Sequence, residues 1–311
     1  MKDHVIDYSN DVFFKYLLRD VSDDDSLFLL RMFIERTLGI VCKDISVLNP
    51  ELIPDKINDK NLILDILVKT DDDRLIDIEM QTSSFSHILS NRLQLYGARM
   101  LSSQAKKGEL YHQLNPVYQI IFLNDTNKST HQLIDVYTSK NQTGIEERYN
   151  LITRVYVNMS YINHLIKERK ELNDIETATY IFKNGMRCDK ISVDEKVMMI
   201  MKKKHEKFSE DEALSWIAFE RQCGEWQHEG EKREAFEDGL IQGHAQGHIE
   251  GHALGIDEGK IEMIALYIQT RFNVDIQKDI QLLSSEKLEK LKENIYTFNT
   301  IEEIKEFMRN L

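Results

Sequence analysis

Asp65, Glu79 and Gln81 are the residues of this chain whose types and spacing can do chemistry. Asp65 interrupts the apolar run Asn61-Leu-Ile-Leu-Asp-Ile-Leu-Val-Lys-Thr70, while Glu79 and Gln81 belong to Arg74-Leu-Ile-Asp-Ile-Glu-Met-Gln81. The first run crowds β-branched and apolar residues together, as a strand buried on both faces does. The second alternates, with Ile76, Ile78 and Met80 on one face and Asp77, Glu79 and Gln81 on the other. Asp71, Asp72 and Asp73 between them suit a hairpin turn. Such a hairpin brings Asp65 and Glu79 to one face. Desolvating an unpaired carboxylate costs several kcal/mol, and two together repel. A divalent cation resolves the conflict, because Mg²⁺ is commonly held by one or two carboxylates and keeps several waters. Held there, it orients and activates a water and neutralises charge on a phosphodiester. Gln81 lies on the same face, where its amide can position the attacking water or a phosphate oxygen. A plainer reading stands beside this one: the two acids face solvent on an edge strand, or are paired with arginines.

The elements that must position these residues follow from periodicity. Residues 9–39 read as helical, with Phe13, Phe14, Leu17, Leu18, Leu29, Phe33 and Leu38 at helical spacing before Gly39. Asn49-Pro50 and Pro54 mark a loop. Ser86 to Lys107 predicts a helix closing at Gly108, Val117–Leu123 a strand of buried type, and Arg148–Tyr156 a weaker strand. From Tyr161 to Phe219 the pattern is helical throughout. The order predicts an α/β core with a central mixed sheet flanked by helices over residues 1–160, followed by a helical extension over 161–225. Glycines then fall at intervals of four, at 239, 243, 247, 251, 255 and 259. That repeat defines a segment over 226–260, either a helix or a linker, before a last helical stretch over 261–311.

Composition excludes several classes. Three dispersed cysteines, Cys42, Cys188 and Cys223, form no CxxC pair, which points to a reducing compartment rather than a disulfide framework or zinc site. The N-terminus has no apolar stretch behind a basic region, and no window reaches the ~20 apolar residues of a membrane helix. A cytoplasmic protein with no membrane partner is the expectation. The net charge of −13 opposes nonspecific nucleic-acid binding, which relies on Lys and Arg neutralising phosphates. The acidity is uneven, however. Residues 205–260 hold 14 acidic against 5 basic residues, whereas 151–204 hold 11 basic against 7 acidic.

Two further clusters share helical faces. Arg92, Tyr96 and Arg99 recur at i, i+4 and i+7 and can bind phosphate, or can be an amphipathic helix with solvated arginines. Asp11 and Lys15 also share a face, with Asp11 either a helix cap or a contributor to the site. His244, His248 and His252 follow successive glycines; we read them as part of the repeat rather than as metal ligands, since no further ligand accompanies them. In a helix each glycine costs ~1 kcal/mol relative to alanine, so the repeat is either an assembly surface for close backbone approach or a flexible linker.

Asn10-Asp-Val-Phe-Phe-Lys15, Leu64-Asp-Ile66, Ile78-Glu-Met-Gln81, Arg92 with Tyr96, and Lys107-Gly-Glu-Leu-Tyr111 together resemble the successive blocks of the Rpn family. These are bacterial recombination-promoting nucleases, also described as transposases, of the PD-(D/E)XK superfamily. The resemblance covers residues 9 to about 125 closely, and the glycine repeat and helical tail are similar to those of many members. It implies a restriction-endonuclease-like core and a DNA endonuclease that hydrolyses phosphodiester bonds with Mg²⁺ or another divalent cation such as Mn²⁺. It further implies that Asp65 and Glu79 bind the metal, and that Gln81 stands where most superfamily nucleases carry lysine. It favours Arg92 and Tyr96 as DNA-binding residues, and since an acid on the first helix sometimes assists the metal in this superfamily, Asp11 and Lys15 stand beside them as auxiliary candidates. The expected partners are DNA and further copies of the chain, joined through the glycine repeat. Two rival readings are a DNA-binding recombination accessory protein and a protein-interaction module retaining the fold.

Overall fold

Helix α1 (Asp11–Leu18) starts where the Asn10 side chain accepts the N–H groups of Val12 and Phe13. Asn10, not Asp11, is therefore the cap. The helical stretch expected over 9–39 is two helices, because Asp23 accepts the Ser26 N–H and opens a new one, α2 (Asp24–Leu38). Gly39 ends α2 in the left-handed conformation, φ 67°, which glycine adopts without steric cost. The described residues are 5–52, 62–82, 86–105, 110–124, 132–188 and 191–311, with backbone alone for Glu229 and Ile249, in this computed structural model. Pro54, Asn61, Lys107 and the expected helix stop at Gly108 lie outside them.

The strands are β1 (Ile45–Leu48), β2 (Glu51–Leu52), β3 (Leu62–Ile63), β4 (Ile66–Thr70), β5 (Leu75–Gln81), β6 (Val117–Leu123), β7 (Ile134–Tyr137) and β8 (Ile152–Asn158). Six of them form one mixed sheet in the order β1-β4-β5-β6-β8-β7. The β4–β5 hairpin is antiparallel, β5, β6 and β8 run parallel, and β1 and β7 close the edges antiparallel. Parallel neighbours need a crossover, and α3 (His87–Ser102) supplies the one between β5 and β6. The α/β class with a central mixed sheet is thus present, with β1 and β7 added to the strands that the periodicity shows.

Each face of the sheet packs differently. Ile66, Val68, Ile76, Ile78, Met80, Ile120 and Phe122 enter the main core with α1 and α2. There the rings of Phe14, Phe33, Phe122 and Phe182 meet edge to face or tilted, with centroids 5.0–6.0 Å apart, a geometry favoured by the ring quadrupoles. The helices α4 (Ile162–Glu168), α5 (Asp174–Asn184), α6 (Glu195–Glu210) and the start of α7 (Glu212–Phe272) contribute to that same core through Ile162, Ile181, Met201 and Ala218. The opposite face takes α3, whose Leu93, Tyr96 and Met100 cover Leu67, Val117, Ile121 and Leu123. The approach is close at Gly97: a Cβ there would lie 2.9 Å from Gln119 Oε1 and 3.3 Å from Ile152 Cγ2.

Contacts divide the chain into two units, Met1–Glu225 and Trp226–Leu311. The second has its own core, in which Ile264 and Ile268 of α7 meet residues of α8 (Gln277–Ile280), α9 (Ser285–Asn294) and α10 (Ile301–Asn310). The glycine repeat lies within α7, and a Cβ added at any of its six glycines would meet nothing within 4 Å. Among the described residues, no helix is long and apolar enough to cross a membrane.

Candidate active site

The strand ladder between β4 and β5 is regular from Lys69↔Leu75 to Ile66↔Ile78. It stops one residue before Ile66, because the chain bends at Asp65 between β3 and β4. Asp65, expected in mid-strand, is at this break. Backbone donors left by the break need partners, since an unmade buried hydrogen bond costs the full desolvation of the group. The two acids supply them reciprocally. Glu79 Oε1 accepts the Asp65 N–H at 2.9 Å, and Asp65 Oδ2 accepts the Met80 N–H at 3.1 Å.

Glu79 is 3 % exposed. Burial and the neighbouring Asp65 carboxylate push its pKa up to about 7, against the downward pull of the Asp65 N–H, Arg92 and Lys15. Its second oxygen, Oε2, accepts Gln81 Nε2 at 3.0 Å and has the Arg92 guanidinium 3.9 Å away. Asp77, one step further down the same face of β5, is fully buried, and Gln119 Nε2 donates to it at 3.2 Å. Burial and the Glu79 charge hold the Asp77 carboxyl well above the usual range, and its Oδ1 has no hydrogen-bond partner. Gln119, another polar residue inside β6, packs under Gly97 of α3.

Helix α1 brings its polar face to the break. Lys15 Nζ lies 2.7 Å from Asp65 Oδ1 and 3.4 Å from Asp11 Oδ2. Asp11 also pairs with Arg221 of α7 at 2.9 Å, and its Oδ1 is buried without a partner. The helix-cap alternative for Asp11 therefore gives way to an ion-pair network. On α3, Arg92 lies over the Tyr96 ring at 5.8 Å, Tyr96 is almost buried, and burial with the Glu79 charge raises its pKa.

The structure thus gathers Asp65, Glu79, Gln81, Lys15 and Arg92 around one strand break, with Asp11 and Tyr96 behind them. The end of β5 is clamped by Asn124. Its N–H donates to the Gln81 carbonyl at 3.0 Å and its Nδ2 to the Thr82 carbonyl at 3.1 Å. Asn124 Oδ1 in turn accepts Ser160 Oγ at 2.9 Å and the Lys183 ammonium. Burial holds the Lys183 pKa below its ordinary value. Sequence reasoning missed Asp77, Asn124, Lys183 and Arg221. Asp77 had a local signal, a third acid in phase with Glu79. Arg221 had none, because it stands 210 positions from Asp11 in the chain.

A pair of carboxylates that complete each other's backbone, beside an ammonium and a guanidinium, can hold a hard cation and face an anionic substrate. A family model described as PD-(D/E)XK nuclease family transposase matches residues 8–235. No curated protein and no solved structure matches the chain.

Proposed function

Because the chain belongs to the PD-(D/E)XK nuclease family transposases, we propose that it is a DNA endonuclease that promotes recombination or transposition. On this reading it hydrolyses phosphodiester bonds with a divalent cation, Mg²⁺ or Mn²⁺, held by Asp65 and Glu79. The observation that carries the reading is the reciprocal engagement of Asp65 and Glu79 at the break between β3 and β4. A buried acid with a pKa near 7 beside a second acid is a site where a cation relieves both desolvation and repulsion.

The donor set fits a hard ion. It consists of carboxylate oxygens; among the described residues no group of three or more His, Cys, Asp or Glu is placed to hold a metal ion, so two acids completed by water would be the ligand set. Two carboxylates plus water is a usual Mg²⁺ environment. Once bound, the ion supplies Lewis acidity towards the phosphate and lowers the pKa of a coordinated water.

The remaining work falls to this chain's own groups. Gln81, held by Glu79 Oε2, orients the attacking water or a phosphate oxygen. Glutamine carries no charge, but the Lys15 ammonium at Asp65 brings to the site the positive charge that the superfamily's lysine provides elsewhere. Arg92, 40 % exposed at its side chain, meets a phosphate while the Tyr96 ring beneath it limits its swing. Asp11 and Arg221 hold Lys15 in place. Three free cysteines agree with a reducing, cytoplasmic setting. The glycine repeat is the assembly surface through which copies of the chain associate. Plasmid nicking with and without Mg²⁺, and with Asp65→Ala, is the test. DNA binding that persists in the parent chain without any cleavage would instead make it a recombination accessory protein.

A further inference from the structure

Strand β5 ends at Gln81, whose side chain donates to Glu79 Oε2, and its ladder with β6 ends at the same place, Gln81↔Leu123. Thr82 lies beyond the ladder, and Asn124 Nδ2 donates to its carbonyl at 3.1 Å. With its own N–H on the Gln81 carbonyl at 3.0 Å, Asn124 takes two successive carbonyls at the end of the strand. Gln81 is therefore held from its backbone by a residue of the neighbouring chain segment, immediately beside the two acids.

A carboxamide can do this in one orientation only. Its nitrogen must face Thr82, and its oxygen must face away. Two groups stand at the oxygen, the Ser160 hydroxyl and the Lys183 ammonium. A hydroxyl donates or accepts and tolerates either end of an amide, whereas an ammonium only donates. Lys183 is thus the group that sets the direction of the Asn124 amide. It stands in the last turn of α5, where a cation suits the helix end. Its ammonium, however, is on Asn124, 59 positions away in the chain. Among the described residues Lys183 forms no ion pair, and burial is what acts on its charge. Drawing an ammonium out of water to neutral partners is costly. The helix end accounts for a basic residue there, but not for where its charge is spent.

We infer that Lys183, acting through Asn124, is a positioning residue that keeps the Gln81 amide on Glu79 beside the two acids. The inference rests on the nuclease reading for the task of Gln81, and adds the device that holds it in place. Without the ammonium, the Asn124 amide is free to turn its oxygen towards the Thr82 carbonyl. The two oxygens repel, and the end of β5 loosens from β6. Gln81 is the first side chain to shift, because it is the last residue of the strand. A displacement of ~1 Å is enough to slow a reaction markedly.

The test uses the full chain and two readouts. Plasmid nicking in Mg²⁺ compares the parent with Lys183→Met, Gln81→Ala, the double variant and Asn124→Asp. Lys183→Met should lower kcat by up to roughly tenfold, the loss expected for Gln81→Ala. Its KM for plasmid and its Mg²⁺ affinity by calorimetry should stay at the parental values. Because both changes act on one group, the double variant should be no slower than Gln81→Ala, whereas independent sites would combine to about a hundredfold. Asn124→Asp should match Lys183→Met, since a carboxylate keeps the ammonium but offers Thr82 no N–H. A lysine that serves stability alone would leave the kcat of that variant unchanged.

The second readout needs no cleavage. In the ¹⁵N-labelled chain in EDTA, the Gln81 side-chain amide is the signal pair that Gln81→Ala removes. In Lys183→Met and Asn124→Asp that pair should move towards the position of free glutamine and exchange faster with water, while thermal melting shows each chain folded. Three results overturn the inference: an unmoved Gln81 signal in Lys183→Met, parental nicking in Lys183→Met or Asn124→Asp, or losses that multiply in the double variant. If the parent nicks no plasmid, the nuclease reading fails and the Gln81 signal alone decides the positioning role. If nicking requires Asp65 but not Lys183, the positioning role falls and the nuclease reading stands.

Discussion

The β4–β5 hairpin and the glycine-bearing part of α7 both carry residues that oppose the elements they sit in. In the hairpin the offending groups are buried acids, and each has its answer inside the same unit: Glu79 takes the Asp65 N–H, Asp65 takes the Met80 N–H, and Lys15 and Arg92 supply charge. In α7 the offending residues are six glycines, and no atom stands within 4 Å of where their Cβ would be. Helix propensity lost there is of order 5–6 kcal/mol. A second comparison makes the contrast sharper. Gly97 in α3 also lacks a side chain, but Gln119 and Ile152 occupy the space one would need. One glycine is required by a neighbour within the chain. The other six meet no such neighbour among the described residues.

Substitutions at the acids should give the largest effects. Asp65→Ala and Glu79→Ala should lower divalent-dependent plasmid nicking by about 10²–10³-fold or more, the scale of losing a group that stabilises transition-state charge. Nicking at the parental rate in either variant would falsify the assignment. Glu79→Gln should also abolish cleavage while changing the pH dependence of stability. The parent's Glu79 holds its proton up to about pH 7 when folded, whereas an unfolded glutamate releases it near the ordinary value of ~4.3. The folded state binds more protons across that window, so metal-free parental stability falls as pH rises through it. Melting temperatures of Glu79→Gln should show a shallower decline. Asp77, shifted in the same direction, retains part of it.

Gly97→Ala or Gly97→Val should destabilise the first unit by about 1–3 kcal/mol, the usual consequence of overpacking, as read from urea denaturation. An unchanged midpoint would mean that α3 can lift from β6 freely. Gln81→Ala should slow cleavage by roughly tenfold, or about 1.4 kcal/mol, with metal affinity by calorimetry unchanged. Gln81→Lys should be tolerated. A loss of metal affinity in Gln81→Ala would make the amide a ligand.

The smallest effect per residue belongs to the repeat. Gly247→Ala should raise helix content, since alanine is favoured over glycine by ~0.5–1 kcal/mol where nothing approaches the helix. Gly247→Leu with Gly251→Leu should weaken self-association in light scattering if copies pack there. A parent chain that is monomeric at tens of micromolar would break the comparison and leave the repeat a linker.

Much of the fold was legible because buried parallel strands and hairpins write themselves locally. Val117–Leu123 reads as a strand and is one to the residue, and Arg74–Gln81 differs from β5 by a single position. The edges were not legible. β1 and β7 have four residues each and are only partly buried, so their pairing is decided by β4 and β8 rather than by their own pattern. The break at Asp65 was hidden for the opposite reason. Its neighbours are apolar on both sides, and nothing in the run says that the ladder stops there.

What the amino-acid order determined by itself is the hairpin and the phase of Asp77, Glu79 and Gln81 on one face, because a strand's period of two needs no distant information. It also determined that α1 would present Asp11 and Lys15 together, one turn apart. Tertiary structure decided where those faces meet. Lys15 reaches Asp65 across 50 positions and Arg221 reaches Asp11 across 210, and contacts of that kind leave no periodic trace in either partner. They exist because α1 is seated on the core by its buried Phe13, Phe14, Leu17 and Leu18, and the polar face opposite is carried to wherever that packing sets it.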